Sequence, residues 1–337
     1  MKPHNALRTY PLSDLLQHYP FMEEYFAALF PQVPNTTQTL ADYLAHQDPD
    51  FFEDMGTNKE TLMTDAETYL EQMAAFLDTD SFSLDTLTLL PGRDKGGHPE
   101  SFDEITISKG EIISIVGPTG SGKSRLLADI EWLAQGDTPT GRSLLINGQP
   151  PKMEWRYSHT HKMVAQLSQN MNFVMDLSVE EFITLHAESR LITEKEKVVT
   201  SIIAEANNLA GEEFDKTTPI TSLSGGQSRA LMIADTAILS SSPIVLIDEI
   251  ENAGIDREKA LSLLLSKEKI VLMATHDPLL ALMGDVRLVI RNGGIAQRMY
   301  TDAAEQQVLQ EIQAVDTAIQ RMRTLLRQGE RLTKCII

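Results

Sequence analysis

IISIVGPTGSGKS, residues 112–124, decides the fold of this chain. The apolar run Ile112, Ile113, Ser114, Ile115, Val116 reads as a buried strand and Arg125–Trp132 as a helix, and between them Gly117–Ser124 fits G-x-x-x-x-G-K-S/T. Strand, glycine-rich loop and helix in that order make a phosphate-binding loop rather than an incidental turn. Gly117, Gly120 and Gly122 allow positive φ and bring backbone N–H groups close to an anion, while the following helix turns its positive end on the same spot. Lys123 would reach the β- and γ-phosphates of a nucleoside triphosphate, and the Ser124 hydroxyl would take Mg²⁺.

Around that loop, 337 residues suffice for about two domains and a large core. The single cysteine, Cys335, excludes an internal disulfide framework and fits a reducing compartment, so a cytoplasmic location is expected. No charged-then-apolar leader opens the chain, and no window approaches the ~18 apolar residues of a membrane-spanning helix. A formal charge of −19 repels nucleic acid and anionic headgroups, so the expected partners are proteins and not nucleic acid. The same field opposes a nucleotide, which local backbone groups and metal must hold against it.

Residues 1–80 stand apart, with 3 Lys/Arg against 14 Asp/Glu. Leu12, Leu15, Leu16 and Tyr19 have helical spacing, Pro20 is expected to open a new helix, and Met22, Tyr25, Phe26 and Leu29 resume the stripe before Pro31 and Pro34 stop it. Leu12-Ser-Asp-Leu-Leu-Gln-His is echoed 28 residues on by Leu40-Ala-Asp-Tyr-Leu-Ala-His. Two echoes are too few for a solenoid and predict a compact helical module. LLQHYPFMEEYFAALFPQV resembles a small helical domain of unknown function found in bacterial proteins linked to redox and metallocentre chemistry. Its relatives often carry cysteines, and residues 10–60 have none, so no redox role carries over. His4, His18 and His46 lack metal-ligand spacing and read as surface or capping histidines.

A run from Ser83 to Leu90 is strand-like, and Pro91, Gly92, Gly96, Gly97 and Pro99 make a loop before a strand at Glu104–Ile107. GRSLLING, Gly141–Gly148, reads as a strand ending in an Asn-Gly turn. Three motifs follow. Gln169 comes 46 residues after Lys123 and ahead of a helix for which Ser178 is a plausible cap. Leu223-Ser224-Gly225-Gly226-Gln227 precedes an apolar helix from Ala230 to Leu239, with a hydroxyl and bare N–H groups at its start as a second anion site. Ile244-Val-Leu-Ile-Asp248-Glu249 reads as a central parallel strand with carboxylates at its C-terminal end, where open α/β sheets bind ligands.

With these motifs in this order the sequence resembles the ATP-binding cassette (ABC) family of ATPases over roughly residues 81–300. The resemblance implies an α/β fold: a P-loop NTPase cassette with a mixed sheet core and a helical signature arm. A small acidic all-α domain at 1–80 is expected ahead of it and an amphipathic C-terminal helix at 301–337 behind. It implies ATP and Mg²⁺ as ligands, with Walker A at Gly117, Pro118, Thr119, Gly120, Ser121, Gly122, Lys123, Ser124 and the adjoining Arg125. Asp248, Ser124 and Gln169 would serve the metal, Glu249 would act as general base, and His276 would contact the γ-phosphate. Leu223, Ser224, Gly225, Gly226 and Gln227 would act on the ATP of a second copy in a head-to-tail sandwich dimer.

The sequence also departs from the family pattern. Asp256, the D-loop candidate, comes one residue late, and Ala230 and Asp235 stand where arginines are common. Phe82 and Phe102 are off register for adenine stacking, which leaves Arg93 or His98 for that role and GTP as a second substrate. Val308, Ile312, Val315, Ile319, Met322 and Leu326 form a heptad-like seam in a C-terminal helix, expected to pack on the cassette or to dimerise. Only 99 residues separate Lys123 from Leu223, too few for the long coiled coils of DNA-repair cassettes. Two roles remain. A soluble ATPase that remodels a protein partner, with a metallocentre-related task, is suggested by the acidic helical module. The ATP-hydrolysing subunit of a membrane transporter, paired with a permease at the inner membrane face, is the alternative.

Overall fold

The structure, a computed structural model, describes residues 6–30, 34, 36–78, 83–157, 162–168, 173–192, 194–248 and 254–332. The chain divides into two compact units, Met1–Phe82 and Ser83–Ile337.

The first unit is all helical: α1 Ala6–Thr9, α2 Leu12–His18, α3 Met22–Leu29, α4 Leu40–Ala45, α5 Pro49–Asp54 and α6 Lys59–Asp78. Leu7, Leu12, Leu15, Met22, Phe26, Leu40, Leu44, Met63 and Leu70 are buried, so the apolar stripes of α2 and α3 face a common core. Stacked Tyr25–Tyr69 and Phe30–Phe51 pairs extend that core. The sequence echo has a structural counterpart, since a histidine at the C-terminal end of each helix, His18 as the last residue of α2 and His46 as the C-cap of α4, meets with its Nδ1 the carbonyl four residues back. These contacts are His18 to Asp14 at 2.9 Å and His46 to Asp42 at 2.7 Å. A carbonyl only accepts, so each Nδ1 carries a proton, and both rings cap helix ends as expected. Pro20 does not open α3. The N–H groups of Met22 and Glu23, the first two residues of α3, bond to the Tyr19 and Pro20 carbonyls, so Pro20 lies in the turn that leads into the helix, ahead of its N-cap Phe21.

In the second unit, β1 (Thr86–Leu90), β2 (Ile105–Ser108) and β4 (Ser143–Ile146) form an antiparallel sheet in the order β2-β1-β4. A six-stranded sheet orders β5 (Val164–Leu167), β6 (Ile244–Asp248), β7 (Ile270–Ala274), β3 (Ile112–Val116), β8 (Val286–Arg291) and β9 (Gly294–Tyr300). The first five run parallel and β9 closes one edge as an antiparallel hairpin. The unbroken apolar runs of β3, β6 and β7 follow from burial on both faces. One face packs on α7 (Lys123–Glu131) through Leu126, Leu127 and Ile130. The other packs on α11 (Gly225–Ile238), α12 (Arg257–Leu265) and α13 (Pro278–Met283).

α8 (Met153–Tyr157) precedes β5, and a helical arm of α9 (Val179–Ser189), α10 (Lys195–Leu209) and α11 buries Ile183, Ala187, Ile202, Ala206, Leu231 and Ala234 among its members. Ser178 caps α9 in a reciprocal box with Glu181. α14 (Ala303–Arg327) lays Leu309 and Ile312 against the cassette core, while Val308, Val315 and Leu326 of the same seam are exposed. Among the described residues no helix is long and apolar enough to cross a membrane.

A buried charge cluster ties the cassette's two sheets together. Arg142, at 1% exposure, donates to Glu100 through Nε at 2.9 Å and Nη2 at 2.7 Å, to Asp129 of α7 at 2.8 Å and to the Gly293 carbonyl at 2.9 Å. Burial pushes the Glu100 carboxyl up, but the Arg142 guanidinium and the N–H groups of Ile295 and Gly92 outweigh it and hold the group below the usual carboxylate range. Arg142→Met leaves two carboxylates without their cation and is expected to cost about 3–5 kcal/mol in urea unfolding at neutral pH. A depressed folded-state pKa confers stability above the unfolded value, so the deficit should narrow as pH falls below about 4.

Candidate functional site

The phosphate loop is built by lack of space as much as by sequence. Gly117, with φ +155°, sits where a Cβ would lie 2.5 Å from the Ile290 carbonyl, and at Gly122, with φ +112°, a Cβ would lie 2.8 Å from Gly293 Cα. The β8–β9 hairpin thus presses on the loop from one side, and the Gly293 N–H bonds the Ser121 carbonyl at 2.6 Å. Lys123, first residue of α7, donates to the carbonyls of Gly117 at 2.8 Å and Pro118 at 3.3 Å, so its ammonium lies over the loop. The Ser121 hydroxyl is buried and has no hydrogen-bond partner among the described residues. Pro118, Thr119, Gly120, Ser124 and Arg125 are exposed on the loop and first turn. α7 starts at Lys123, two residues before the expected Arg125, which puts Lys123 and Ser124 in its positive first turn.

Strand order gathers the other candidates. β5, β6, β7 and β3 are consecutive parallel neighbours, and the motif positions follow their C-terminal ends. Gly117 follows β3, Asp248 ends β6 opposite Ala274, and His276 lies exposed two residues beyond β7. β5 ends at Leu167, two residues short of Gln169. Gln169 and Glu249 themselves lie outside the described residues, as does Phe82.

The signature lies elsewhere. Ser224 caps α11 in a box with Gln227: its Oγ accepts from the Gln227 N–H at 3.3 Å, and Gln227 Oε1 accepts from the Ser224 N–H at 2.9 Å. Gly225 and Gly226 form the first turn, and Leu223 packs on the helical arm. Among the described residues no hydrogen bond joins 223–227 to 117–125 of the same chain. The signature instead neighbours the segment of the D-loop candidate: a Cβ on Gly254 would lie 3.9 Å from Gly226 Cα, and beyond it Ile255 pairs with Ala210 and the Asp256 N–H bonds the Leu209 carbonyl at 3.0 Å. Asp256 caps α12 through the Lys259 N–H at 3.1 Å.

The departures from the family pattern have local explanations. Ala230 is fully buried against the sheet, where a longer side chain has no room. Asp235, 3% exposed, meets His186 Nδ1 of α9 at 2.8 Å, so the charge at that place is partnered within the arm. Phe102 packs, partly buried, against the cassette core. Arg93 donates to Gly97 within its own turn at 3.2 Å, and His98 stands beside Asp94.

Sequence reasoning missed two residues. Lys95 donates from Nζ to the Gly120 carbonyl at 2.7 Å. Arg257 bridges Asp277, next to His276, at 2.7 Å and Asp316 of α14 at 3.0 Å. Lys95 is 25 residues from its loop partner and Arg257 is 59 from Asp316, and no periodicity signals such pairs.

The family model for ABC transporters matches residues 103–252. An uncharacterised ABC transporter ATP-binding protein of Methanocaldococcus jannaschii is 53% identical over 247 residues, 73% of this chain and 94% of that protein. A thiamine import ATP-binding protein of Brucella suis is 33% identical over 207 residues, 57% of this chain and 79% of its own length. Among solved structures, an ATP-binding subunit of an ABC transporter aligns with a TM-score of 0.50 at 19% identity, covering 66% of this chain and 92% of the other, a likeness of fold alone.

Gly122→Ala tests the loop's geometry directly. The added carbon meets backbone at a left-handed φ, so the variant should lose polyphosphate binding in calorimetric titration and about 1–3 kcal/mol of stability. Gly225→Ala, whose Cβ would meet nothing within 4 Å, should stay within about 0.5 kcal/mol of wild type.

Proposed function

The chain belongs to the ABC transporter ATP-binding family, and from that premise we propose that it binds and hydrolyses Mg-ATP between two copies of itself to drive a membrane-spanning partner. The observation that carries this reading is the row of neighbouring strand ends, with Gly117–Ser124, Asp248 and His276 along one edge of the sheet and the signature cap apart from them on the arm. A nucleotide held at that edge lacks the signature of its own chain, and a second copy turned head to tail would supply it.

The residues present suit a nucleoside triphosphate. The unpartnered Ser121 hydroxyl, the cradle at Gly117 and Gly122, and the first turn of α7 all favour a compact anion. Mg²⁺ would be held by Ser124 and Asp248 with Gln169, oxygen donors suited to a hard cation, and when bound it supplies charge that neutralises the phosphates. Phosphoryl transfer to water needs positioning and charge stabilisation more than covalent help. Lys123 holds the β- and γ-phosphate oxygens, His276 donates to the γ-phosphate, and Glu249 orients the attacking water and takes its proton. Ser224 and Gly226 offer a hydroxyl and a backbone N–H to the nucleotide on the partner copy, and Asp256 lies along the same seam.

The coupled task is reordered by the relatives. A soluble remodelling role with a metallocentre task draws on the acidic helical unit, the unusual stretch before Asp256 and the lack of a membrane segment, whereas the relatives described above are named as transporter ATP-binding or import proteins. No described helix spans a membrane, so a separate permease would supply that part and hold this chain at the membrane surface.

Glu249→Gln should still bind ATP while turnover falls about 10²–10⁴-fold in a phosphate-release assay. Chains carrying Lys123→Ala or Ser224→Arg should each be inactive alone, and mixing them should restore hydrolysis, because one composite site then has every part intact. An unchanged, inactive mixture would remove the head-to-tail arrangement. Recovery of the Glu249→Gln chain with a multi-span membrane protein supports transport, and recovery with a soluble partner alone overturns it.

A further inference from the structure

The segment between β1 and β2 is where a base-stacking aromatic was sought, and the residue it presents to the phosphate loop is a lysine. The Lys95 N–H bonds the Asn292 carbonyl at 2.7 Å, and its Nζ bonds the Gly120 carbonyl at 2.7 Å. On the way its side chain crosses Gly293, where a Cβ would lie 2.8 Å from Lys95 Cγ. Two ammonium groups therefore rest on carbonyls of one loop, Lys123 on Gly117 and Pro118 and Lys95 on Gly120.

That side-chain bond is not what holds the segment in place. Asp94 accepts from the N–H groups of Gly96 at 2.8 Å and His98 at 2.9 Å and from Asn292 Nδ2 at 3.0 Å. Glu100, locked on Arg142, accepts from Gly92 and Ile295. The backbone is fixed at both ends without Lys95 Nζ, which is exposed and bonded to a neutral acceptor. A phosphate oxygen is a stronger acceptor for an ammonium than a carbonyl, and the four-carbon stem lets the group reach the adjoining N–H concavity with little rearrangement. In a chain of net charge −19, such local cations offset a field hostile to polyphosphates.

We propose that Lys95 is a nucleotide-binding residue, a second cation for the polyphosphate, standing between Arg93 and His98 in the segment considered for base stacking. The inference rests on the ATP-binding reading above and deepens it. Recognition moves from the base to the phosphates, so ATP and GTP bind alike.

Calorimetric titration of Mg-ATP and Mg-GTP into the full chain carrying Glu249→Gln, with Lys95 intact, replaced by Ala or replaced by Arg, tests this. Lys95→Ala should weaken both nucleotides about tenfold and by equal factors, lessen the salt dependence of binding, and leave the thermal unfolding midpoint unchanged. Lys95→Arg should restore most of the loss. Unchanged affinity, a lowered midpoint with unchanged salt dependence, or a loss confined to ATP would each overturn the proposal. Should the chain with Lys95 intact bind neither nucleotide, the ATP-binding reading itself fails.

Discussion

The cassette depends on backbone packed too closely for a side chain. Gly117 faces the Ile290 carbonyl and Gly122 faces Gly293, so the phosphate loop and the β8–β9 hairpin meet glycine to backbone. Arg142 makes that contact rigid. Its guanidinium holds the Gly293 carbonyl, Asp129 of the loop's own helix and Glu100 of the segment between β1 and β2 in one desolvated cluster. Such a cluster gives little net stability over apolar packing, yet losing one partner is severe, which makes it a device for fixing geometry. The loop keeps its anion-ready shape because three separate chain segments converge on one cation.

What could be read from the sequence is what repeats or has a fixed local signature. Gly117–Ser124 names its own conformation, the apolar runs of β3 and β6 declare strands buried on both faces, and Ser178 and Ser224 announce helix starts with Glu181 and Gln227 three residues on. The paired histidines of the first unit belong to the same class, since His18 and His46 sit one helical turn from the carbonyls they cap. Pairs distant in sequence were hidden. Arg142 and Glu100 are 42 residues apart, His186 and Asp235 are 49 apart, and each reads alone as an ordinary surface charge. Pro20 misled because proline at a helix start and proline in the turn before one look alike until the first i−4 bond is located.

The helical arm shows how a departure from a family pattern can be absorbed. With Asp235 in place of an arginine, α11 requires a hydrogen-bond donor from nearby, and His186 of α9 supplies it at 2.8 Å across the arm's core. The bond and the apolar contacts of Ile183, Ile202 and Leu231 then join α9, α10 and α11 into one piece. On the proposed dimer, the signature cap at the head of α11 is carried by a self-contained body, whose motion would be that of the arm and not of a loose loop.

Arg257 extends this to the other end of the site. It is one residue from Asp256 and bonds both Asp277, beside His276, and Asp316 on α14. Gln313 of α14 adds a bond to Glu258 at 2.8 Å, and Arg287 of β8 pairs with Glu305. The C-terminal helix therefore meets α12 and the strand next to β3 by hydrogen bonds as well as by Leu309 and Ile312. Because Arg257 is 12% exposed, its two partners cannot part from it without leaving a nearly buried charge uncompensated, so the segments bearing Asp256, His276 and Asp316 are constrained to shift together.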